Sequence, residues 1–264
     1  EGKQMKKIFS LILVAALVLS WTPVSFAAAI AVADGASVSW AANTDTPTYN
    51  GAAGVTTGTF STTADAQNIA GATITNAGTV GTLTVVGATN VTAAIGDATH
   101  ILGILNVNGT AGDVLSLGGN SFIDEANFGA VSSILTLANG FNYTGSIEAV
   151  GATDGRGTIN LAGGNQSVSG PIGTSTVARV NVFNTAQNGA EVATVFVVRA
   201  ITSNVNGTGT TNFNGQYQGG LVSALNITST GTAVLGVDGS QVTTTTFTGA
   251  GALNINGSTT TNVV

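Results

Sequence analysis

The chain has 264 residues, a net charge of −6 and 7% charged residues, against the roughly 25% that is usual in soluble globular domains. It has no cysteine, which excludes disulfides, thiolate catalysis and Cys-ligated zinc sites. Its 6 lysines and arginines cannot neutralise a run of phosphates, so the composition argues against nucleic acid and anionic lipid surfaces as partners.

The first residues have the layout of a secretory signal peptide. A basic start at residues 5–7 precedes an apolar run over residues 8–19, and Pro23 and small residues follow. The alternative is a transmembrane helix, which needs roughly 20 apolar residues, and Pro23 ends this segment too early. We therefore interpret residues 1–27 as a non-native start followed by a cleaved signal peptide, with cleavage after Ala27 or, as alternatives, after Ala29 or Ala33. This predicts export to a bacterial cell surface, the outer membrane or the extracellular space.

Beyond the leader, apolar residues alternate with polar ones in short runs that end in Gly or Asn. This is the pattern of β-strands separated by turns, and no sustained helical period occurs. The predicted strands are residues 82–86, 104–107, 114–117, 134–137, 158–161, 180–183, 225–228 and 253–256.

The strand pattern recurs with the period of a repeat fold. Leu117, Leu137 and Leu161 hold equivalent places about 20–24 residues apart, which is the range of solenoid turns. We predict an all-β, right-handed parallel β-solenoid (β-helix). An antiparallel β-sandwich is the alternative, because it also has short strands at regular spacing. The scarcity of proline, at 3 residues, and the Thr, Asn, Val and Gly bias favour the solenoid, with uncharged polar residues on its outer face.

Two regions are predicted after the leader. Residues 28–75 are less regular, and we interpret them as an N-terminal cap that shields the first turn of the stack. Residues 76–264 are the predicted solenoid. Because the repeat pattern continues to residue 264 without a capping signal, we expect a passenger fragment truncated at its C-terminus.

Residues 132–183 contain a recurring order of leucine, asparagine and glycine positions around short strands. These positions are Leu135, Leu137, Gly145, Ile147, Asn160, Leu161, Gln166, Val168, Gly170, Ile172 and Gly173. With these residues the segment resembles a unit in the passenger regions of large rickettsial surface antigens, the autotransporters of the outer-membrane B type. The resemblance implies a passenger displayed on a Gram-negative surface, which serves adhesion or forms a surface layer. Such proteins end in a translocator barrel, so membrane contact is expected only through a C-terminal barrel that this sequence lacks.

The residues that could perform chemistry are few. His100 is the only histidine, so a catalytic triad would depend on it alone, and it is interpreted as a turn residue that enters a strand. Asp124 and Glu125 are the only adjacent carboxylates and are interpreted as part of a solvated loop. Residues 112–124 contain one degenerate copy of a glycine-aspartate calcium repeat, and such sites need several tandem copies.

A polysaccharide-degrading enzyme would need several carboxylates, or carboxylates with arginine, in one groove. Arg156 with Asp154, and Arg179 with Glu191, are the plausible starting points in the sequence. Neither makes a sufficient set, so we expect no catalytic, cofactor-binding or metal-binding residues and no enzymatic activity.

The expected function is that of an exported structural or adhesive surface protein. A self-assembling secreted matrix or S-layer-like protein without a barrel is the alternative, and a β-helical polysaccharide-degrading enzyme is less favoured. The partners expected are host-cell or neighbouring surface proteins and further copies of the chain, without a cofactor.

Overall fold

A computed structural model of the chain describes residues 29–40, 46–63, 67–109, 113–150, 153–173, 178–217, 224–236, 240–256 and 259–263. The predicted signal peptide at residues 1–27 lies outside these ranges. The strands are β1 (Ala29–Val32), β2 (Ser37–Trp40), β3 (Thr46–Tyr49), β4 (Thr59–Thr62), β5 (Gln67–Ile69), β6 (Thr73–Ile74), β7 (Gly78–Val85), β8 (Thr89–Val91), β9 (His100–Val107), β10 (Val114–Leu117), β11 (Ser121–Phe128), β12 (Ile134–Leu137), β13 (Tyr143–Ala149), β14 (Arg156–Leu161), β15 (Gln166–Val168), β16 (Val180–Thr185), β17 (Val192–Val195), β18 (Ala200–Val205), β19 (Thr210–Phe213), β20 (Ala224–Ser229), β21 (Thr232–Leu235), β22 (Ser240–Gly249), β23 (Ala252–Ile255) and β24 (Thr259–Val263).

The strands form two long sheets and one short one. Sheet I has 11 strands in the order β2-β4-β7-β9-β11-β13-β15-β17-β19-β21-β23. Sheet II has 10 strands in the order β5-β8-β10-β12-β14-β16-β18-β20-β22-β24, and sheet III is β1-β3-β6. Every pairing within the described ranges is parallel. The predicted parallel β-solenoid is confirmed, and the antiparallel sandwich is excluded.

From β4 onward the strands, apart from β6 of sheet III, alternate between sheet I and sheet II, so each turn of chain contributes one strand to each. Single parallel bridges complete the third side of the stack, and they link Ala72, Ile95 and Ser121 in the first turns and Ile147, Ile172, Val198 and Tyr217 in later ones. Strands of neighbouring turns lie about 4.8 Å apart, so a sheet of this many strands makes a rod on the order of 50 Å long.

The core is a set of columns along the rod axis. Leu117, Leu137 and Leu161 are successive partners in sheet II, and each is at most 3% exposed. Their predicted equivalence is confirmed. The residues next to these leucines on the same strands point outward and are only half-buried. Because apolar and polar residues alternate along each strand, one face of the sheet packs in the core and the other is polar.

Two glycines make room for large aromatic rings in this core. Gly81 and Gly157 have φ values of 77° and 74°, a backbone region that other residues rarely adopt. A Cβ atom at Gly81 would collide with the ring of Tyr49, and one at Gly157 would collide with the ring of Phe128. Both rings are almost completely buried, so these glycines are required by packing as well as by the bend of the chain.

The region predicted as a cap contributes strands to the same stack. β2 and β4 belong to sheet I, and β5 belongs to sheet II, where it pairs with β8 in register. β1, β3 and β6 form sheet III on the third side. A capping role for residues 28–75 stays a prediction.

Candidate functional site

The most regular outer feature of the rod is a column of uncharged polar side chains along sheet II. One residue of each strand occupies it, and the strand register brings these residues together turn after turn. From Asn68 to Asn226 the neighbours on either side along each strand are buried, so the column faces solvent. We call it the polar ladder, and its members are Asn68, Asn90, Ser116, Thr136, Asn160, Asn184, Asn204, Asn226 and Thr246.

Hydrogen bonds join the second half of the ladder into a continuous chain. Asn184 Nδ2 donates to Asn160 Oδ1 at 2.8 Å, and Asn204 Nδ2 donates to Asn184 Oδ1 at 2.7 Å. Asn226 Nδ2 donates to Asn204 Oδ1 at 2.8 Å. Each amide therefore gives one bond to the turn before it and accepts one from the turn after it, as in the asparagine ladders of stacked β-structures.

The ladder is interrupted at Ser116. Within the described part of the chain, its hydroxyl makes no hydrogen bond to either ladder neighbour, Asn90 or Thr136. The serine side chain is too short to span the distance of one turn as an asparagine does. Two positions further along, Gly118 has no side chain, and a Cβ there would lie 2.9 Å from the carbonyl oxygen of Val91.

An open groove of about 380 Å³ lies at this interruption. Its volume is within the range of small-molecule sites, which is roughly 300–1,000 Å³. The short Ser116 and the bare Gly118 lower the surface next to the taller Asn68 and Asn90, which line one side of the groove. The residues that line it include Asn68, Asn90, Thr92, Ser116, Gly118 and Ala138.

Two glutamates share the outer face of sheet I. Glu125 pairs with Ser146, and Asn127 pairs with Glu148, so the two carboxylates lie one turn apart on one surface. Asn127 Nδ2 donates to Glu125 Oε1 at 2.6 Å. Partial burial, and then the charge of Glu125, raise the pKa of Glu148 above its usual value. The raised pKa keeps a proton on the Glu148 carboxyl to a higher pH than on an ordinary glutamate.

The predicted loop around Asp124 and Glu125 is wrong. Both residues lie inside β11, where the pairing with β13 shifts register between Phe122 and Glu125. A register shift of this kind lets a strand carry adjacent polar residues without burying either of them. Asp124 is exposed, and Glu125 is half-buried beside Asn127.

The arginines do not form the pairs that the sequence suggested. Arg179 Nε donates to Asp154 Oδ1 at 2.9 Å, and the same contact lowers the pKa of Asp154. Arg156 Nη1 instead donates to the carbonyl oxygen of Gly129 at 2.6 Å. Glu191 accepts a hydrogen bond from the backbone N–H of Asn188 at 2.8 Å. Each arginine partner lies about one turn earlier in the chain, which is a long-range pairing that local sequence does not reveal.

His100 begins β9, as predicted, and belongs to a local turn. Its Nδ1 lies 2.9 Å from Asp97 Oδ1 and 3.0 Å from Thr99 Oγ1. A catalytic relay needs the carboxylate and the nucleophile on opposite ring nitrogens. Here both neighbours approach the same nitrogen, so this cluster is a turn and has no relay geometry.

Within the described ranges, no group of three or more His, Asp or Glu side chains is placed to hold a metal ion. No helix in the part of the chain that the structure describes is long and apolar enough to cross a membrane. The single degenerate calcium-like repeat, from which no metal site was predicted, falls partly on residue 112, which lies outside the described ranges. The groove at Ser116 was missed from the sequence, although Val114–Leu117 reads VLSL where equivalent strands carry asparagine.

The fold and the ladder together define a parallel β-solenoid with a column of uncharged polar side chains along the outer face of sheet II. The chain has no significant match to a protein-family model, to a curated protein or to a solved structure.

Proposed function

We propose that this chain is an exported structural protein of a bacterial surface, which makes adhesive contacts or forms a coat and has no enzymatic activity. The observation that carries the proposal is the polar ladder, which repeats uncharged polar side chains, most of them asparagine, along the outer face of the rod. A repeated face provides many weak, similar contacts, and stacked repeats commonly supply extended binding surfaces.

Three features of the sequence support the surface location. Residues 1–27 have the layout of a cleaved leader, and residues 132–183 resemble the passenger unit of outer-membrane B-type antigens. The low charged fraction fits a stack, because identical neighbours would place like charges about 5 Å apart. Hydrogen-bonded amides carry no charge and so avoid this repulsion, and their remaining donor and acceptor sites can still bind water.

Export is tested with the full chain expressed in a Gram-negative host. We expect a mature protein that begins near Ala28, recovered outside the cytoplasm and accessible to surface-labelling reagents. The control is Leu13→Arg, which breaks the apolar run and should hold the full-length chain inside the cell. An uncleaved cytoplasmic protein in the parent would refute the proposal.

Adhesion and coat formation are separated by two assays on the exported protein. Saturable binding to host cells at concentrations where the protein is monomeric supports adhesion. Concentration-dependent assembly into ordered sheets or filaments, without host binding, supports the coat. An exported chain that does neither would contradict both forms of the proposal.

A second candidate is hydrolysis of glycosidic bonds, and the arrangement of Glu125 and Glu148 favours it. Glycosidases use two carboxyls about 5–9 Å apart, one of them with a raised pKa. Diagonal neighbours on adjacent strands are roughly 7–8 Å apart. Release of reducing ends from a polysaccharide by the parent, abolished in both Glu125→Gln and Glu148→Gln, would establish this candidate over the structural one.

A further inference from the structure

We propose that the groove at Ser116 is a binding site for an uncharged saccharide chain. This inference rests on the proposed adhesive function for its biological role. The binding of a saccharide itself depends only on the groove and can be tested separately. The groove would be a single saccharide-binding site on a rod whose remaining outer surface repeats similar polar residues from turn to turn.

The hydrogen-bonding capacity of the groove is specific. Asn90 Nδ2 donates to Asn68 Oδ1 at 3.3 Å, which leaves Asn90 Oδ1 as an acceptor and the Asn68 amide hydrogens as donors. The Ser116 hydroxyl adds a group that both donates and accepts. Adjacent donors and acceptors of this kind match the hydroxyl groups of a sugar, because each sugar hydroxyl can both donate and accept a hydrogen bond.

The charge of the groove excludes several other ligands. Its lining residues, within the described part of the chain, are all uncharged at every ordinary pH. A sulfated, phosphorylated or uronic-acid ligand would therefore find no cation there to compensate the desolvation of its own charge. A neutral, hydroxyl-rich ligand has no such cost.

A peptide fits the groove less well than a saccharide. Peptides that bind to sheets usually add a strand at an open edge. Of the strands beneath this groove, β8 and β10 are paired on both sides, whereas β5, which carries Asn68, is the end strand of sheet II within the described ranges. A peptide strand added to β5 would lie beside the sheet and not in the groove on its outer face. The groove floor is Gly118 and Ala138, which offers no deep apolar pocket for a peptide side chain.

The rest of the ladder limits the site to one position. From Asn160 to Asn226 the amides bond to one another at 2.7–2.8 Å, and Asn160 also donates to Thr136 Oγ1 at 3.3 Å. Asn90 and Asn68 are bonded in the same way, so the hydrogen-bonded column is broken at Ser116, between these two runs. One saccharide segment per chain is therefore expected.

The test begins with the full-length protein on an array of neutral, sialylated, sulfated and uronate-containing glycans. We expect binding to neutral glycans, with a stoichiometry of one by calorimetric titration of the best ligand. A preference for charged glycans, or no glycan bound by the folded protein, overturns the inference. Capture of a protein partner at the groove, with no glycan, also overturns it.

The decisive variant is Ser116→Asn. The new amide would continue the ladder between Asn90 and Thr136 and fill the groove, so affinity should fall at least tenfold while the melting temperature stays equal or rises. The matched control is Asn204→Ser, which opens the ladder elsewhere and should lower the melting temperature without changing affinity. Unchanged affinity in Ser116→Asn contradicts the assignment.

The two proposals fail in different ways. If Ser116→Asn adheres to cells as well as the parent does, the groove assignment is wrong and the adhesive function stands. If the parent binds neutral glycan but is not exported, the groove assignment stands and the surface function is wrong.

Discussion

The polar ladder should contribute measurably to stability, and Asn184→Ala tests this. The side chain of Asn184 donates to Asn160 and accepts from Asn204, at 2.8 and 2.7 Å. A protein hydrogen bond contributes a net of about 0.5–1.5 kcal/mol, so losing two should cost about 2 kcal/mol. In a chain of this size that lowers the melting temperature by about 4–8 °C.

The assay is differential scanning calorimetry of the parent and two variants. Asn212→Ala is the matched control, because Asn212 also faces outward from a central strand, on sheet I, but is not part of the ladder. Its cost should stay within about 0.5 kcal/mol. If both variants melt together, or Asn184→Ala melts with the parent, the ladder does not stabilise the rod.

The remaining predictions concern the core. Phe213 is fully buried, and its ring lies 6.3 Å from Phe183 and 5.1 Å from Tyr217, so Phe213→Ala should lose about 3–5 kcal/mol in denaturant unfolding. A loss below about 1 kcal/mol would contradict this packing. Burial raises the pKa of Tyr217 to about 12, so the protein should hold its stability below the unfolded pKa of about 10 and lose it as pH rises toward 12. Tyr217→Phe should weaken that alkaline dependence, and parallel stability curves for parent and variant from pH 9 to 12 would count against it.

The fold could be predicted from the sequence because each turn of the solenoid repeats a similar pattern of apolar, polar and glycine residues. A strand such as Val114–Leu117 alternates apolar and polar residues, and Gly118 follows it directly. The period of two sets which side chains face inward, and the glycine marks the end of the strand. The same pattern in every turn specifies both the sheet and the equivalence of Leu117, Leu137 and Leu161.

The site was harder to predict, because it depends on which residues of different turns are adjacent. Turn lengths vary, since ladder neighbours lie from 20 residues apart (Asn184 and Asn204) to 26 residues apart (Asn90 and Ser116), so the pairing of Glu148 with Asn127 follows only from the register. The pairing of Arg179 with Asp154 is of the same kind. The groove depends on one short side chain in an otherwise regular column. The overall composition of the chain does not reveal a difference at a single position.

The parallel stack itself is tested most directly by disulfide formation, since the chain has no cysteine of its own. Thr194 and Asn212 are partners in adjacent turns, and Asn212 is in turn paired with Val234. Adjacent turns are about 4.8 Å apart, within the span of a disulfide, whereas positions two turns apart are about 10 Å apart and beyond it. We predict that Thr194→Cys with Asn212→Cys cross-links on mild oxidation and that Thr194→Cys with Val234→Cys does not. Cross-linking of only the second pair, or of neither, would contradict the stacked parallel turns from which the ladder and the groove are built.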